Sequence, residues 1–386
     1  MDRNGVARQC MDLVDNNFFF LEDARKKWDI KKNEMLSDVS LAESDEEALV
    51  IIDRCLVSLH DPHTRLLFKE KPKLVLPHGF LSIHKKLYLE WEGDLKEVIS
   101  INHVDVHGIL DRYLGMYESF PLVLVENEMV KDLQFLNRCF AGDNLQISYL
   151  DDTEHKVCLY PIAVEKWMES LKLNANGFQI DSVYIRRVDQ ESICIQIITF
   201  RDKEVVSKIV DGLRQIKGSY KTIIFDVRNN TGGYIDTAKE LVSKLISRKI
   251  RLDYEIVKMD GETIQFETVE IMADALSGFV DKQIIVFVNY RTMSSAEYIF
   301  TKALQLQGVL IVGEETAGLK DQASVIPVED TVAIQVTTKR YIKEGIFLQQ
   351  GIIPDIFIES GVAESRGQDA YFEWYQKYKG DFMAKG

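Results

Sequence analysis

Between Ile284 and Gly313 the chain reads strand, polar turn, helix, strand, an order that belongs to folds built on a parallel sheet. Ile284 to Val288 is an apolar run bounded by Asn289, too short for a helix and suited to a buried strand. Asn289-Tyr290-Arg291-Thr292-Met293 then turns into Ser294-Ser295-Ala296-Glu297. From Ser295, the residues Ile299, Phe300, Ala303, Leu304 and Gln307 recur with helical spacing until Gly308 stops the helix. Val309 to Val312 follows as a second strand and ends in Gly313-Glu314. The serine pair thus sits where strand gives way to helix. There the unpaired N–H groups of the first turn face anything that docks. Two readings are open from these residues. One is a helix cap, with Glu297 as the acidic half of a capping box. The other is a nucleophile, whose attack on a carbonyl places negative charge beside those same N–H groups.

A second unit of the same kind lies upstream. Thr222 to Val227 reads as a buried strand, Arg228-Asn229-Asn230-Thr231-Gly232-Gly233 as a turn, and Ile235 to Ile246 as a helix. Paired glycines permit positive φ and a close approach of backbone to ligand, so this turn can offer N–H groups to an oxyanion or simply connect two elements. Before it, Val183–Ile185 and Cys194–Ile198 read as strands and Glu204–Ile216 as a helix. After the central unit, Thr331 to Thr337 alternates as a half-buried strand, and Gly351-Ile352-Ile353-Pro354-Asp355-Ile356 turns into another. A surface helix is expected in the tail beyond Val362.

The first sixty residues are helical in pattern, with Val6, Cys10, Leu13 and Val14 on one face and Ala48, Ile51, Ile52, Cys55 and Leu56 on another. Proline disfavours helix in the residue before it, so Asp61-Pro62 ends this region and places His63 on a loop, with His60 just ahead of it. From about Lys73 to Ile162 the texture is of short alternating strands: Phe80–Ile83, Lys86–Leu89, Glu97–Ile101 and Leu145–Leu150, with a helix from Val106 to Leu114. A linker helix is expected over 163–180. Three segments result: a helical cap carrying the histidine loop (1–72), a mostly β module (73–165) and an α/β core (166–386).

Charge and cysteine usage narrow the function classes. A net charge of −14 argues against nucleic acid or an anionic membrane as the main partner. No apolar run approaches the ~18 residues of a membrane span. The opening residues interleave acids and bases without the apolar stretch of a secretory signal, so a cytoplasmic location is expected. The 5 cysteines, Cys10, Cys55, Cys139, Cys158 and Cys194, are odd in number and scattered, and read as reduced thiols outside any disulfide frame or zinc site.

Taken in order, five motifs resemble those of the C-terminal processing and tricorn-core serine peptidases. They are Leu59-His60-Asp61-Pro62-His63-Thr64, Asp226 to Gly233, Thr292-Met293-Ser294-Ser295-Ala296-Glu297, Gly313-Glu314-Glu315-Thr316-Ala317-Gly318, and Gly351 to Asp355. The resemblance implies an α/β, crotonase-like (ClpP/crotonase) catalytic core with an N-terminal helical segment and an inserted PDZ-like module. It implies a serine endopeptidase that acts on peptides or unfolded C-terminal segments without metal or cofactor, with Ser294 as nucleophile. The processing-protease branch uses a lysine base a few residues after Gly-Glu-x-Thr. Leu319 holds that place here and Lys320 follows it, so a Ser–Lys dyad through Lys320 is the alternative. The tricorn-like branch uses a histidine near the position of His63, which makes Ser294–His63 the expected pair. An imidazole with a pKa near 6.5 also suits a general base at neutral pH. Tricorn-like members carry a glutamate shortly before the Gly-x-x-Pro-Asp turn, where this chain has Leu348-Gln349-Gln350; Gln349, Glu344 or Asp61 are the candidates to orient the histidine. The oxyanion hole is expected from Gly232 or Gly233 together with Ser295. His78-Gly79-Phe80 is the candidate carboxylate-binding loop of the PDZ-like module. A catalytically inactive peptide-binding protein on the same frame and an acyl-CoA enzyme of the crotonase fold are the other readings. The expected partner is a peptide or protein substrate, and a homo-oligomer is compatible with the sequence.

Overall fold

The computed structural model describes residues 1–18, 22–68, 74–117, 120–134, 136, 144–164, 166, 182–260, 263–279, 281–344, 346–347, 350–361 and 369–383. The first segment holds α1 (Arg3–Asn17), α2 (Glu22–Leu41), α3 (Asp45–Val57) and β1 (Arg65–Phe68). The middle one holds β2 (Leu74–Val75), β3 (Phe80–Ile83), β4 (Lys86–Trp91), β5 (Asp94–Ile101), β6 (Val104–Asp105), α4 (Val106–Met116), α5 (Leu122–Gln134), β7 (Leu145–Asp151), β8 (Thr153–Leu159) and β9 (Ile162–Ala163). The last begins with β10 (Val183–Arg187), β11 (Ser192–Ile197), α6 (Val205–Gln215), β12 (Thr222–Asp226), α7 (Ile235–Leu245), β13 (Ile250–Asp260), β14 (Thr263–Ile271) and β15 (Gln283–Val288). It continues with a π-helical segment (Ala296–Thr301), α8 (Lys302–Gln305), β16 (Leu310–Gly313), β17 (Gln322–Glu329), β18 (Val332–Lys343), β19 (Ile346–Phe347), β20 (Ile356–Phe357) and α9 (Ala370–Met383).

The central sheet runs β10-β11-β12-β15-β16-β20, parallel from β11 onward. Alternation along its strands assigns the two faces. Ile193, Ile195, Ile223, Phe225, Val286 and Val288 enter one core with α6, α7 and the π-helical segment. Cys194, Ile224, Ile285, Phe287 and Val312 point the other way, onto Tyr371 and Tyr375 of α9. With both faces covered, the strands read as continuous apolar runs, which is why they were legible in the sequence.

A second sheet orders β1-β18-β13-β14, with β17 and β19 also on β18. Strand β1 belongs to the N-terminal segment, yet it pairs antiparallel with β18 from Arg65–Gln335 to Phe68–Val332. Helices α1 to α3 share one apolar core with Val332, Ile334 and Val336 of that strand. The middle segment forms an antiparallel sheet, β3-β4-β5-β7-β8, with its own core against α4 and α5.

Three elements differ from the sequence reading. The helix after Ser295 is π-helical for its first turns, with the Thr301 hydroxyl donating to the Ala296 carbonyl at 2.7 Å. Helix α5 was not foreseen, because Leu122-Val123-Leu124-Val125 is a β-branched, strand-like run; burial of Val123, Val125, Met129 and Leu133 makes it helical. The hairpin β13–β14 was also missed. The proposed linker helix falls almost wholly outside the described residues. Of the cysteines, Cys10 and Cys194 are buried, Cys55 is partly so and Cys158 is exposed, while Cys139 lies outside the described residues. No described helix is long and apolar enough to cross a membrane.

Candidate active site

Parallel strands β12 and β15 end side by side, and the turns that leave them are tied together by their own polar side chains. Met293 N–H donates to the Asn230 carbonyl (2.9 Å), Asn229 N–H to Asn289 Oδ1 (2.9 Å), and the Thr292 hydroxyl to the Val227 carbonyl (2.9 Å). Arg228 braces the first turn from below. Its guanidinium holds Asp226 (Nη2 to Oδ2, 2.7 Å) and Asp369 beside α9 (Nη2 to Oδ2, 2.7 Å), and lies 4.4 Å over the ring of Tyr371. Two carboxylates around one buried guanidinium offset its desolvation, and loss of the guanidinium would leave the buried Asp226 carboxylate uncompensated.

Ser294 occupies the crossing point of these turns. Its φ is +53°, a left-handed conformation that is uncommon for a residue with a side chain. Its N–H is held by the Leu319 carbonyl (2.8 Å) and by Glu297 Oε2 (3.2 Å). The capping-box half contributed by Glu297 therefore exists, as one part of a larger bracket. The same carboxylate accepts from Thr316 Oγ1 (3.0 Å), Gly318 N–H (3.1 Å) and Leu319 N–H (3.2 Å). Glu297 is fully buried, and burial pushes its pKa up to about 8 while these donors and the Lys320 ammonium pull it back. The sequence places Glu297 three residues after the nucleophile candidate; only the fold shows that it fastens the 316–319 loop to it.

Gly232 and Gly233 serve in different ways. Gly232 has φ +86°, and a Cβ there would lie 2.7 Å from Ser294 Cβ and 3.1 Å from Ser295 N. Its N–H is already committed to Asn230 Oδ1 at 2.8 Å, which removes it as an oxyanion donor and corrects that part of the expectation. The N–H groups of Gly233 and Ser295 carry no hydrogen bond among the described residues. Gly233 also lacks room for a side chain, because a Cβ would overlap the backbone of Phe200 and Arg201. The Ser295 side chain is buried without a hydrogen-bond partner among the described residues.

His63 reaches this place through strand pairing. The turn Asp61–Thr64 leads directly into β1, and Asp61 fastens it to β18. The Asp61 carboxylate accepts from Thr64 Oγ1 (2.5 Å), Thr337 Oγ1 (2.7 Å) and Arg340 Nη2 (3.0 Å). It is thus an anchor for the histidine turn and makes no hydrogen bond to the imidazole among these contacts. Burial holds the His63 pKa below 6.5; Asp61 raises it and Arg340 lowers it further. His63 Nδ1 is buried with no partner among the described residues. Glu344 is exposed in the turn between β18 and β19, with φ +52°, and Gln349 lies outside the described residues.

A cleft of about 610 Å³ brings these pieces together, lined by His63, Ser294, Gly233 and Thr231, with Leu124 and Asn127 from α5, Met293, Leu319, Tyr234 and Arg201. Leu319, at the position of the processing-protease lysine, faces the cleft. Lys320 does not line it. The ammonium is buried 5.4 Å from the Tyr298 ring centroid without a hydrogen bond, and burial pushes its pKa down to about 8, with Asp321 and Glu297 opposing. The middle segment joins the site through the residues just before Ser294. Arg291 donates to Asn127 Oδ1 (2.9 Å) and to the Ser82 carbonyl of β3, the Tyr290 hydroxyl reaches Glu126 Oε2 at 3.1 Å, and His84 meets Glu314 at 2.6 Å. The His78-Gly79-Phe80 loop has a carboxylate beside it already, because a Cβ on Gly79 would stand 2.6 Å from Glu90 Oε2. That geometry disfavours it as a carboxylate-binding loop.

Residues 193–358 match the model of peptidase family S41. A carboxy-terminal-processing protease of Bartonella bacilliformis is 24% identical over 214 residues, 54% of this chain and 46% of that protein. A probable CtpA-like serine protease of Staphylococcus aureus is 26% identical over 151 residues, 38% of this chain and 29% of that protein. The matches thus span less than half the length of these curated relatives. Among solved structures, mature CPAF complexed with lactacystin aligns over 100% of this chain and 99% of that one, with TM-score 0.75 and 14% identity. The photosystem II D1 C-terminal processing protease aligns over 96% and 98%, with TM-score 0.52 and 16% identity. At such identities the likeness is one of fold.

Proposed function

We propose that this protein, whose residues 193–358 match peptidase family S41, is a serine-type peptidase that cleaves peptides or unfolded protein segments through an acyl-enzyme on Ser294. The observation that carries this reading is the cleft lined by both Ser294 and His63, residues far apart in the chain, with Gly233 also in its wall. In the proposed mechanism His63 removes the hydroxyl proton as Ser294 Oγ attacks the scissile carbonyl carbon. The oxyanion is received by the N–H groups of Gly233 and Ser295, each worth about 3 kcal/mol to such an intermediate. His63 then gives its proton to the leaving amine, takes one from water, and the resulting hydroxide releases the acyl group.

His63 is favoured over Lys320 as base because the histidine lines the cleft and the lysine is buried away from it, over Tyr298. Asp61 acts on the imidazole through its charge and through the anchoring of its turn; Gln349 is retained as a candidate orienting residue. We place the catalytic core in the crotonase-like class and the middle segment in the PDZ-like class, the latter because an edge strand, β3, runs beside helix α5 as a strand-addition groove requires. A cytoplasmic site of action and a homo-oligomeric state belong to the same proposal.

Fluorophosphonate labelling tests it. Wild type and Lys320→Ala are expected to label, Ser294→Ala not at all, and His63→Ala at least about 100-fold more slowly, the scale of a lost general base. Survival of labelling in His63→Ala with loss in Lys320→Ala would transfer the base to lysine. A wild type that never labels would make the chain a peptide-binding protein.

A further inference from the structure

The cleft carries a second message in its charge. Among its lining residues Arg201 is the only permanently charged one, and no Asp or Glu faces the space, although the chain holds 61 acidic residues against 47 basic ones. We propose that Arg201 is a specificity-determining residue that selects a carboxylate on the peptide beside the scissile bond, opposite an apolar pocket for a neighbouring side chain. This rests on Ser294 being the reacting centre.

The backbone around Arg201 is fixed against the oxyanion turn. Phe200 N–H donates to the Gly232 carbonyl (2.9 Å), Tyr234 N–H to the Phe200 carbonyl (3.0 Å), and Arg201 N–H to Thr199 Oγ1 (3.1 Å). The guanidinium therefore starts from a point in contact with Gly233, yet it forms no hydrogen bond or ion pair with any described residue. Asp202 turns away to the Ser182 hydroxyl and to Lys208 Nζ (2.8 Å), which absorb its charge. The Lys203 ammonium lies 5.4 Å from the ring centroid of Tyr234, a lining residue. Of the loop's two carboxylates, that of Asp202 is engaged by Lys208, and neither it nor Glu204 lines the cleft. Elsewhere in the cleft Leu124, Met293 and Leu319 form an apolar patch, continuous with Val123 and Ala317, next to Ser294. An unpaired arginine fork is built for bidentate carboxylate recognition, and partial exclusion of water by a bound peptide strengthens it. An Asp or Glu side chain and the peptide's own C-terminus present the same carboxylate chemistry, and the test separates the two sources.

The test uses peptides with one apolar residue and, at each flanking position in turn, Asp, Asn or Lys, each made with a free and with an amidated C-terminus. Turnover is measured with the wild type, Arg201→Gln and Arg201→Glu, and binding by fluorescence anisotropy with Ser294→Ala and with the double variants. Because Arg201 is exposed, these changes leave folding intact, which thermal denaturation checks. At one position Asp should exceed Asn by about 10- to 100-fold in kcat/KM, the range of a hydrogen bond to a charged group. Arg201→Gln should abolish that preference and Arg201→Glu should transfer it to Lys. An advantage that follows the free α-carboxylate instead would support the same assignment with a chain end as ligand. Labelling of Ser294 together with turnover and binding indifferent to both carboxylates would overturn the assignment while leaving the peptidase reading intact. Absence of labelling with Arg201-dependent binding would do the reverse.

Discussion

Ser294 is held in a conformation that side chains avoid, and Gly232 beside it leaves the room for that. The left-handed φ costs of order 1 kcal/mol, and Gly232 packs directly on Cβ of the serine. The histidine is tuned from two sides. Burial comes first and disfavours the imidazolium; the Asp61 carboxylate opposes it, and the Arg340 guanidinium adds to it. With its pKa below 6.5, the proposed base is neutral down to mildly acid pH. The labelling rate of wild type should therefore hold as pH falls and drop only below about 6.5, the unperturbed value. Arg340→Gln removes the cation and leaves Asp61 unopposed, so the midpoint should move to higher pH. A wild-type midpoint above 7, or a downward move in the variant, would contradict this account. At this scale the sequence disclosed Ser294, His63 and the glycines by type and spacing. It did not disclose that the Gly232 N–H is spent on Asn230, because that depends on one side-chain rotamer in a folded turn.

The element that organises the site is the join between β15 and the π-helical segment, and its fastening is Glu297. Four donors converge on this carboxylate from two stretches of chain. Glu297→Gln would turn an NH₂ group toward two of them, leaving buried N–H groups unsatisfied. A loss of about 2–4 kcal/mol in urea denaturation is expected, from one to two unsatisfied groups, together with slower labelling as Ser294 loses its support. Unchanged stability would mean that the bracket is ornamental to the fold. Helix α5 is the counterexample to pattern reading: its first four residues are strand-like, and it is helical because its apolar face is buried with α4 and the module's sheet.

For the whole molecule the site is a meeting of three segments, since His63 comes from the first, Leu124 and Asn127 from the second, and Ser294 from the third. Their coupling is concentrated in Arg291, three residues before the serine, which reaches both α5 and the edge strand β3. Arg291→Ala should slow labelling about 2- to 30-fold, the range of ordinary inter-site coupling, and should raise hydrogen exchange in β3. Slower labelling with no change in β3 exchange would place the effect in the turn alone.

By itself the sequence determined what local chemistry can write: buried strands as apolar runs, turns as Gly, Asn and Pro, and residue types whose order matches a peptidase family. These depend on neighbours a few positions away. Only the tertiary structure decided which of them act together. Pairing of β1 with β18 carries His63 across the chain to Ser294, and the loop between β16 and β17 puts Leu319 in the cleft and the Lys320 amine away from it. Such outcomes follow from long-range register and from the cost of burying an unpaired charge, and neither is a property of any short stretch of sequence.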